Sequence, residues 1–134
     1  MHYKPITGPD DPRITIAIHA QQDDVPVRGN ALASGDDNED RRVEDEILQR
    51  LSDGDIWAWA HVEVAVYASG VKMMEHGTVL LIDTWASDSL GCCSYESEED
   101  FRIAGDYYED MVNGCIQAIN DKLEGMSNLL DFSQ

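Results

Sequence analysis

The balance of charge is the strongest constraint on how this chain can fold. Its 134 residues include 27 acidic and 9 basic side chains, which gives a formal net charge of −18 at pH 7. Self-repulsion on this scale opposes compaction, and it also repels nucleic acids and anionic membranes. The chain nevertheless contains three Trp and five Tyr residues, which disordered acidic segments lack. We therefore expect a folded protein whose surface suits a basic partner.

The length of the chain favours one domain over residues 1–134. Three of its four prolines fall within residues 1–12, which predicts an irregular N-terminal segment. Residues 127–134 form a tail that shows no clear pattern. No apolar run approaches the ~18 residues that cross a membrane, and residues 1–11 lack an apolar signal core. We therefore expect a cytoplasmic protein that does not bind membranes.

Hydrophobic periodicity predicts an α+β fold. Apolar and polar residues alternate over residues 13–20 and 55–68, and apolar segments at 78–85 and 90–95 complete four predicted strands, with turns at Ser69–Gly70 and Ser87–Asp88. Helical spacing covers residues 39–51 and the chain from Asp106 onward, while Ser97 has the position of a helix cap and Gly105 interrupts that turn. The order β-α-β-β-β-α predicts an antiparallel sheet of about four strands with two helices packed on one face.

Acidic side chains gather opposite the apolar stripe of the last helix and in the segment before it. On the first helix, by contrast, the spacing of Arg42 and Glu46, and of Arg41 and Asp45, predicts partial cancellation of charge. The uncompensated group is the candidate surface for a basic partner, and it consists of Glu98, Glu99, Asp100, Asp106, Glu109, Asp110, Asp121 and Glu124. The alternative is that these groups only keep the protein soluble.

Three aromatic residues fall on one side of the predicted strand over residues 55–68. Trp57, Trp59 and Tyr67 alternate with the side that carries the valines, and they would be partly exposed if both helices pack on the valine side. Trp and Tyr are enriched at binding hot spots, so we expect these residues to contribute to a protein interface. The alternative is that the N-terminal segment, or Met73 and Met74, covers them.

The sequence offers no motif for catalysis, a metal or a cofactor. Residues 36–40 resemble the start of a calcium loop, but Arg41 and Ile47 stand where that loop needs Gly and Glu. His61 and Glu63 form an H-x-E pair without the downstream P-C-x-x-C of zinc deaminases. The odd number of cysteines (Cys92, Cys93 and Cys115) favours free thiols in a reducing compartment. We therefore expect a non-enzymatic protein with no metal or cofactor, and cysteines that act as small buried apolar residues.

Several segments occur together in an order that resembles a group of small acidic proteins encoded by phages, prophages and plasmids. These segments are VRGNA at 27–31, EDEI at 44–47 with RL at 50–51, GDIWAWAHV at 54–62, LGCCSY at 90–95, DF at 100–101 and YYEDM at 107–111. The resemblance covers about residues 25 to 120 and brings no catalytic residues with it. It implies a bacterial host cell and the setting of anti-CRISPR and anti-restriction proteins, some of which mimic DNA.

Two hypotheses follow for the function. The first is a non-enzymatic inhibitor that binds the basic surface of a host nucleic-acid-binding defence complex and excludes DNA or RNA by charge mimicry; it does not itself bind nucleic acid, because its nine basic residues are scattered and outnumbered. The second is a structural or adaptor domain of a mobile element, with the aromatic side of the sheet as the surface through which it would form a homodimer. The sequence leaves open whether the protein is a monomer or a homodimer.

Overall fold

The computed structural model describes residues 2–32, 34–104 and 106–132. In these residues the chain forms three strands and three α-helices. They are β1 (Ile14–Gln22), α1 (Asp37–Ser52), β2 (Ala60–Glu75), β3 (Thr78–Cys93), α2 (Glu98–Ile103) and α3 (Tyr108–Phe132), with a 3-10 turn at Ile56–Ala58 before β2. The strands form one antiparallel sheet in the order β1-β2-β3. The predicted α+β class is confirmed.

The prediction of four strands is wrong, because residues 78–93 form one continuous strand. Ser87–Asp88 lies inside β3, and Ser69–Gly70 lies inside β2. The chain reverses instead at His76 and Gly77, whose φ angles are 49° and 78°. Two central residues with positive φ are typical of the tight hairpin turn that matches the twist of its strands. Strand pairing on both sides of this turn overrides the weaker turn preference of the Ser-containing pairs. The order of elements is therefore β-α-β-β-α-α, with three α-helices where the sequence predicted two.

Gly70 marks a change in the side of β2 that is buried. The even-numbered residues from 62 to 68 are buried, whereas beyond Gly70 the buried residues are Val71 and Met73. Gly70 has a φ of 67°, and its N–H donates to the Asp83 carboxylate at 2.9 Å. A β-bulge at this position, which inserts one residue into a strand, explains both the left-handed backbone and the switch.

Tertiary contacts divide the chain into two compact units. The first unit contains residues 1–17, 64–88 and 107–134, and the second contains residues 18–63 and 89–106. Gly105, predicted to interrupt a helical turn, lies outside the described residues.

The core of the first unit forms between β2 and α3. The predicted apolar stripe of α3 is confirmed at its centre, where Met111, Val112, Cys115, Ile119 and Leu123 are all buried. The helix continues as far as Phe132, so it includes part of the segment that shows no pattern in the sequence.

The N-terminal segment is irregular, as predicted, but it is tied down by side chains. The Asn120 amide accepts from the Ile6 N–H at 2.8 Å and donates to the Ile6 carbonyl at 3.0 Å. The buried Asp11 carboxylate accepts from the Arg13 Nε and Nη2 at 3.0 and 2.8 Å and from the Thr7 N–H at 3.1 Å. These bonds from Arg13 hold the pKa of Asp11 far below its ordinary value.

The second unit has a separate core. Val27, Ile47, Ala58 and Trp59 are buried together there, with Ala31, Val43 and Leu51 packed around them. Phe101 is fully buried beside two aromatic rings, Tyr95 at 5.2 Å and Trp57 at 5.8 Å between ring centroids.

The hairpin turn and α3 allow a matched test of backbone conformation. We expect Gly77→Ala to destabilise the fold by about 1 kcal/mol, because a Cβ disfavours a φ of 78°. The same substitution at Gly125 is expected to stabilise it by about 0.5–1 kcal/mol, since Gly125 lies within α3 and a Cβ there meets no atom within 4 Å. Urea unfolding of both variants measures the two effects, and equal signs would contradict the assigned turn.

The Asp11 carboxylate should make stability depend on pH. Its pKa is lower in the folded than in the unfolded chain, so its stabilisation is complete above the ordinary carboxyl pKa of about 4 and is lost as the pH falls below that value. We expect Asp11→Asn to cost on the order of 2 kcal/mol at pH 7 and less at pH 3. The difference from the wild type, measured by urea unfolding at both pH values, separates this effect from the protonation of the other carboxylates. An equal cost at the two pH values would contradict this assignment.

Candidate protein-binding surfaces

The negative charge is divided unequally between the two units. The second unit contains 17 acidic and five basic residues, a formal net charge of −12, whereas the first contains ten acidic and four basic residues, a net charge of −6. The pairing of these charges, rather than their number, decides which carboxylates remain available to a partner.

The carboxylates of α1 are largely paired with arginines. Arg42 lies 2.5 Å from Glu39 and 2.7 Å from Glu46, so the predicted pair of Arg42 and Glu46 is confirmed. Asp45 pairs at 2.5 Å with Arg28 from the preceding loop. The outward side of α1 therefore has the predicted partial cancellation of charge.

Glu44 is a buried carboxylate with a structural role. It accepts from the Gly29 N–H at 2.7 Å and from Arg28 at 3.1 Å. The Gly29 N–H, and after it the Arg28 guanidinium, lower the pKa of Glu44. Glu44 therefore holds the 27–31 loop against α1 and is not available to a partner.

The acidic residues around α2 serve partly to begin the helix. The Ser97 hydroxyl accepts from the Asp100 N–H at 3.2 Å, which confirms the predicted cap, and the Asp100 carboxylate accepts from the Glu96 N–H at 3.1 Å. Such reciprocal bonds satisfy N–H groups at the start of a helix. Glu98 pairs with Arg102 at 3.1 Å. Among the predicted binding residues of this segment, Glu99 and Asp106 remain exposed and form no ion pair within the described part of the chain.

The outward side of α3 carries four exposed carboxylates: Glu109, Asp110, Asp121 and Glu124. Asp121 accepts from the Gln117 side chain at 2.9 Å, but no Lys, Arg or His among the described residues forms an ion pair with any of the four. We call these four residues the α3 acidic face. The neighbouring cation, Lys122, instead donates to the Trp85 carbonyl and lies 5.8 Å from the centre of the Trp85 ring.

The expected exposure of Trp59 is wrong. Trp59 is 2% exposed, and its indole N–H donates to the Val25 carbonyl at 2.7 Å. Trp57 lies in the 3-10 turn before β2, and Trp59 follows that turn directly. The alternation of sides along a strand therefore does not predict which of these side chains is exposed. Trp57 is half-buried against Phe101.

Tyr67 is exposed, as predicted, and it stacks on Trp85 with 6.2 Å between ring centroids. Trp85 is 52% exposed and was not among the predicted binding residues. The signal in the sequence that could have identified Trp85 was its position at the end of the predicted strand over residues 78–85. Tyr67 and Trp85 form the exposed aromatic pair of the first unit.

The predicted binding residues therefore divide between the units. Glu98, Glu99, Asp100, Asp106, Trp57 and Trp59 belong to the second unit, and Tyr67 and the α3 acidic face belong to the first. We treat the two groups as separate surfaces.

The three cysteines are free thiols with different environments. Cys93 and Cys115 are buried, and burial raises the pKa of both, that of Cys93 to about 11. Cys92 is exposed, contrary to the expectation of three buried cysteines. Its φ is 55°, and its N–H donates to the Asp23 carboxylate at 2.8 Å.

Comparisons of the chain with protein-family models, curated proteins and solved structures found no match. In the described part of the chain, no group of three or more His, Cys, Asp or Glu side chains could hold a metal ion. None of the described helices combines the length and the apolar character needed to cross a bilayer.

The environments of the thiols predict selective labelling. At pH 7.5 we expect N-ethylmaleimide to modify Cys92 quickly and Cys93 and Cys115 only after denaturation, because the buried thiols are shielded and remain protonated. Mass spectrometry of native and denatured protein counts the adducts. Cys92→Ser is the control and should abolish rapid labelling, and fast modification of a second thiol would contradict the assigned burial.

Proposed function

We propose that this protein is a non-enzymatic, phage- or plasmid-encoded inhibitor that acts in the bacterial cytoplasm. Its partner is the basic, nucleic-acid-binding surface of a host defence complex of the CRISPR or restriction type. By occupying that surface, the acidic protein excludes DNA or RNA through charge mimicry.

The α3 acidic face is the observation that carries this proposal. Four of the six carboxylates of α1 pair with Arg28 or Arg42, whereas the four of the α3 acidic face have no cationic partner among the described residues. Carboxylates left exposed in this way can accept charge-assisted hydrogen bonds from arginines and lysines of another protein.

The spacing along α3 supports the mimicry of phosphates. Asp110 and Glu124 are 14 residues apart, which is about 21 Å along a helix, and Asp121 falls on the same side between them. One strand of B-DNA carries about six phosphates over this length. The four carboxylates of the α3 acidic face therefore approach the charge density of a single strand. Glu99 and Asp106 add negative charge in the second unit.

Aromatic side chains would supply apolar contacts to the partner. Tyr67 and Trp85 are exposed and already stacked, so little conformational entropy is lost when they are covered. Trp57 is half-buried and offers a smaller contact, and Trp59 is excluded because it lies in the core.

Charge reversal on α3 tests the proposal. We expect the triple variant Asp110→Lys, Asp121→Lys and Glu124→Lys to associate at least about tenfold more slowly with its target and to show a flatter salt dependence, since long-range attraction accelerates association. The measurement uses immobilised protein, a panel of purified CRISPR effector and restriction complexes, a salt gradient, and duplex DNA as competitor.

A matched control distinguishes the contribution of the α3 acidic face to binding from that of net charge alone. Asp10→Lys, Asp24→Lys and Glu63→Lys change the charge by the same amount at three exposed carboxylates that do not belong to α3. The proposal requires the α3 variant to lose more binding than this control. Equal losses, or capture that resists salt and ignores DNA, would contradict it.

An adaptor that forms homodimers is the second candidate, and the exposed aromatic pair favours it. Trp85 lies on β3, an edge strand, together with the exposed Val79 and Leu81, and an apolar edge strand is a template for pairing with another chain. Self-association would join two chains of −18 each, so salt should strengthen it, whereas salt should weaken binding to a basic partner. Sedimentation at low and high salt distinguishes the two.

A further inference from the structure

The first unit contains a cavity of about 450 Å³ between the N-terminal segment and β2. Lys4, Arg13 and Lys72 line it, so three of the nine basic residues of the chain meet at one place. The only acidic residue in its lining is Asp11. In a protein of net charge −18, a cavity dominated by cations differs in sign from its surroundings.

Arg13 and Asp11 neutralise each other within this lining. Asp11 is buried and accepts from Arg13 at 2.8 and 3.0 Å, and the remaining bonds of the guanidinium go to the Lys4 and Pro5 carbonyls at 2.7 and 2.8 Å. The Arg13–Asp11 pair therefore forms one side of the cavity and holds the backbone at Lys4 in place. Its charge contributes little to the cavity.

Lys4 and Lys72 supply the remaining positive charge. Both side chains are exposed, and neither forms an ion pair with a described residue. Both also line an adjoining cavity of about 490 Å³, together with Tyr3 and Met74. The two lysine side chains therefore line shared open space, and no carboxylate among the described residues forms an ion pair with either of them.

We propose that Lys4 and Lys72 form a binding site for the phosphoryl group of a small phosphorylated molecule. Two ammonium groups match the charge of a phosphoryl dianion, and lysine binds phosphate as a point charge. The volume lies within the usual range of small-molecule sites and exceeds what a phosphate alone fills, so the rest of the ligand occupies the adjoining space beside Met74. This inference does not depend on the proposed function.

The negative charge of the chain does not prevent such a site. At physiological ionic strength the field of an exposed charge decays over about 8 Å, so the lysines dominate the potential within the cavity. Burial and, after it, the charges of Glu124 and Asp121 raise the pKa of Tyr3, which lines the adjoining cavity. Neither carboxylate is among the residues that line the two cavities.

Titration with phenyl phosphate, followed by ³¹P and ¹H–¹⁵N NMR, tests the site. We expect saturable binding at low salt, tighter for phenyl phosphate than for inorganic phosphate, with amide shifts at Thr7, Gly70 and Lys72. Each of Lys4→Gln and Lys72→Gln should weaken binding about tenfold, since a charged hydrogen bond contributes about that factor. Lys122→Gln is the matched control, because this fourth cation of the first unit is directed to Trp85, and it should change the affinity less than about twofold.

Three results would overturn the inference. They are the absence of saturation, an equal loss of affinity in Lys122→Gln, and inorganic phosphate binding as tightly as phenyl phosphate. Thermal unfolding of each variant verifies that the fold is intact, and both lysines are exposed, so their replacement should leave stability within about 0.5 kcal/mol of the wild type.

Discussion

Burial of β2 is the interaction on which the rest of the structure depends. Eight of its 16 residues are buried, and they include four valines and Met73. Residues 60–63 of this strand belong to the second unit and residues 64–75 to the first, so the same strand supplies apolar surface to both. Hydrophobic burial is the main term that can offset the self-repulsion of a chain with a net charge of −18. None of the charged residues of β2 is buried, since Glu63 and Lys72 are exposed and Glu75 is partly exposed.

The segments from which we inferred a resemblance to phage and plasmid proteins are mainly structural in the second unit. Arg28 and Gly29 of one segment bind Glu44 of the next. Arg50 pairs with Asp55 at 2.8 Å and donates to the Tyr95 carbonyl at 2.6 Å. These contacts connect several of the segments to one another, since one supplies a hydrogen-bond or ion-pair partner for another. These contacts give the segments of the second unit a structural role. The α3 acidic face is divided, because Glu109 and Asp110 belong to the segment at 107–111 whereas Asp121 and Glu124 lie beyond it.

Hydrophobic periodicity correctly predicted the secondary structure and burial that depend on local spacing. It failed where contacts with residues distant in the sequence determine whether a side chain is buried or where a strand ends. The apolar stripe of α3 and the alternation of apolar and polar residues in β1 could be predicted, because burial of one side repeats at a regular spacing along the chain. Trp59 was misplaced because its indole is buried by the 25–31 loop and α1, which sequence spacing does not reveal. Ser87–Asp88 resembled a turn, but pairing with β2 extends the strand through it. The Lys4 and Lys72 cavity joins residues 68 positions apart, so no local pattern could have indicated it.

The first unit thus combines two exposed features of opposite sign, the α3 acidic face and the Lys4 and Lys72 cavity. Tyr3 is related to both features. It precedes Lys4 in the sequence, and its pKa is raised by burial and then by the charges of Glu124 and Asp121. Replacing those two carboxylates by lysines removes attraction for a basic partner, but it raises the positive potential near the cavity and so favours a phosphoryl group. A substitution that weakens binding at both sites would therefore act through the fold rather than through charge. Opposite responses to the same change of charge are what two electrostatic sites of opposite sign require.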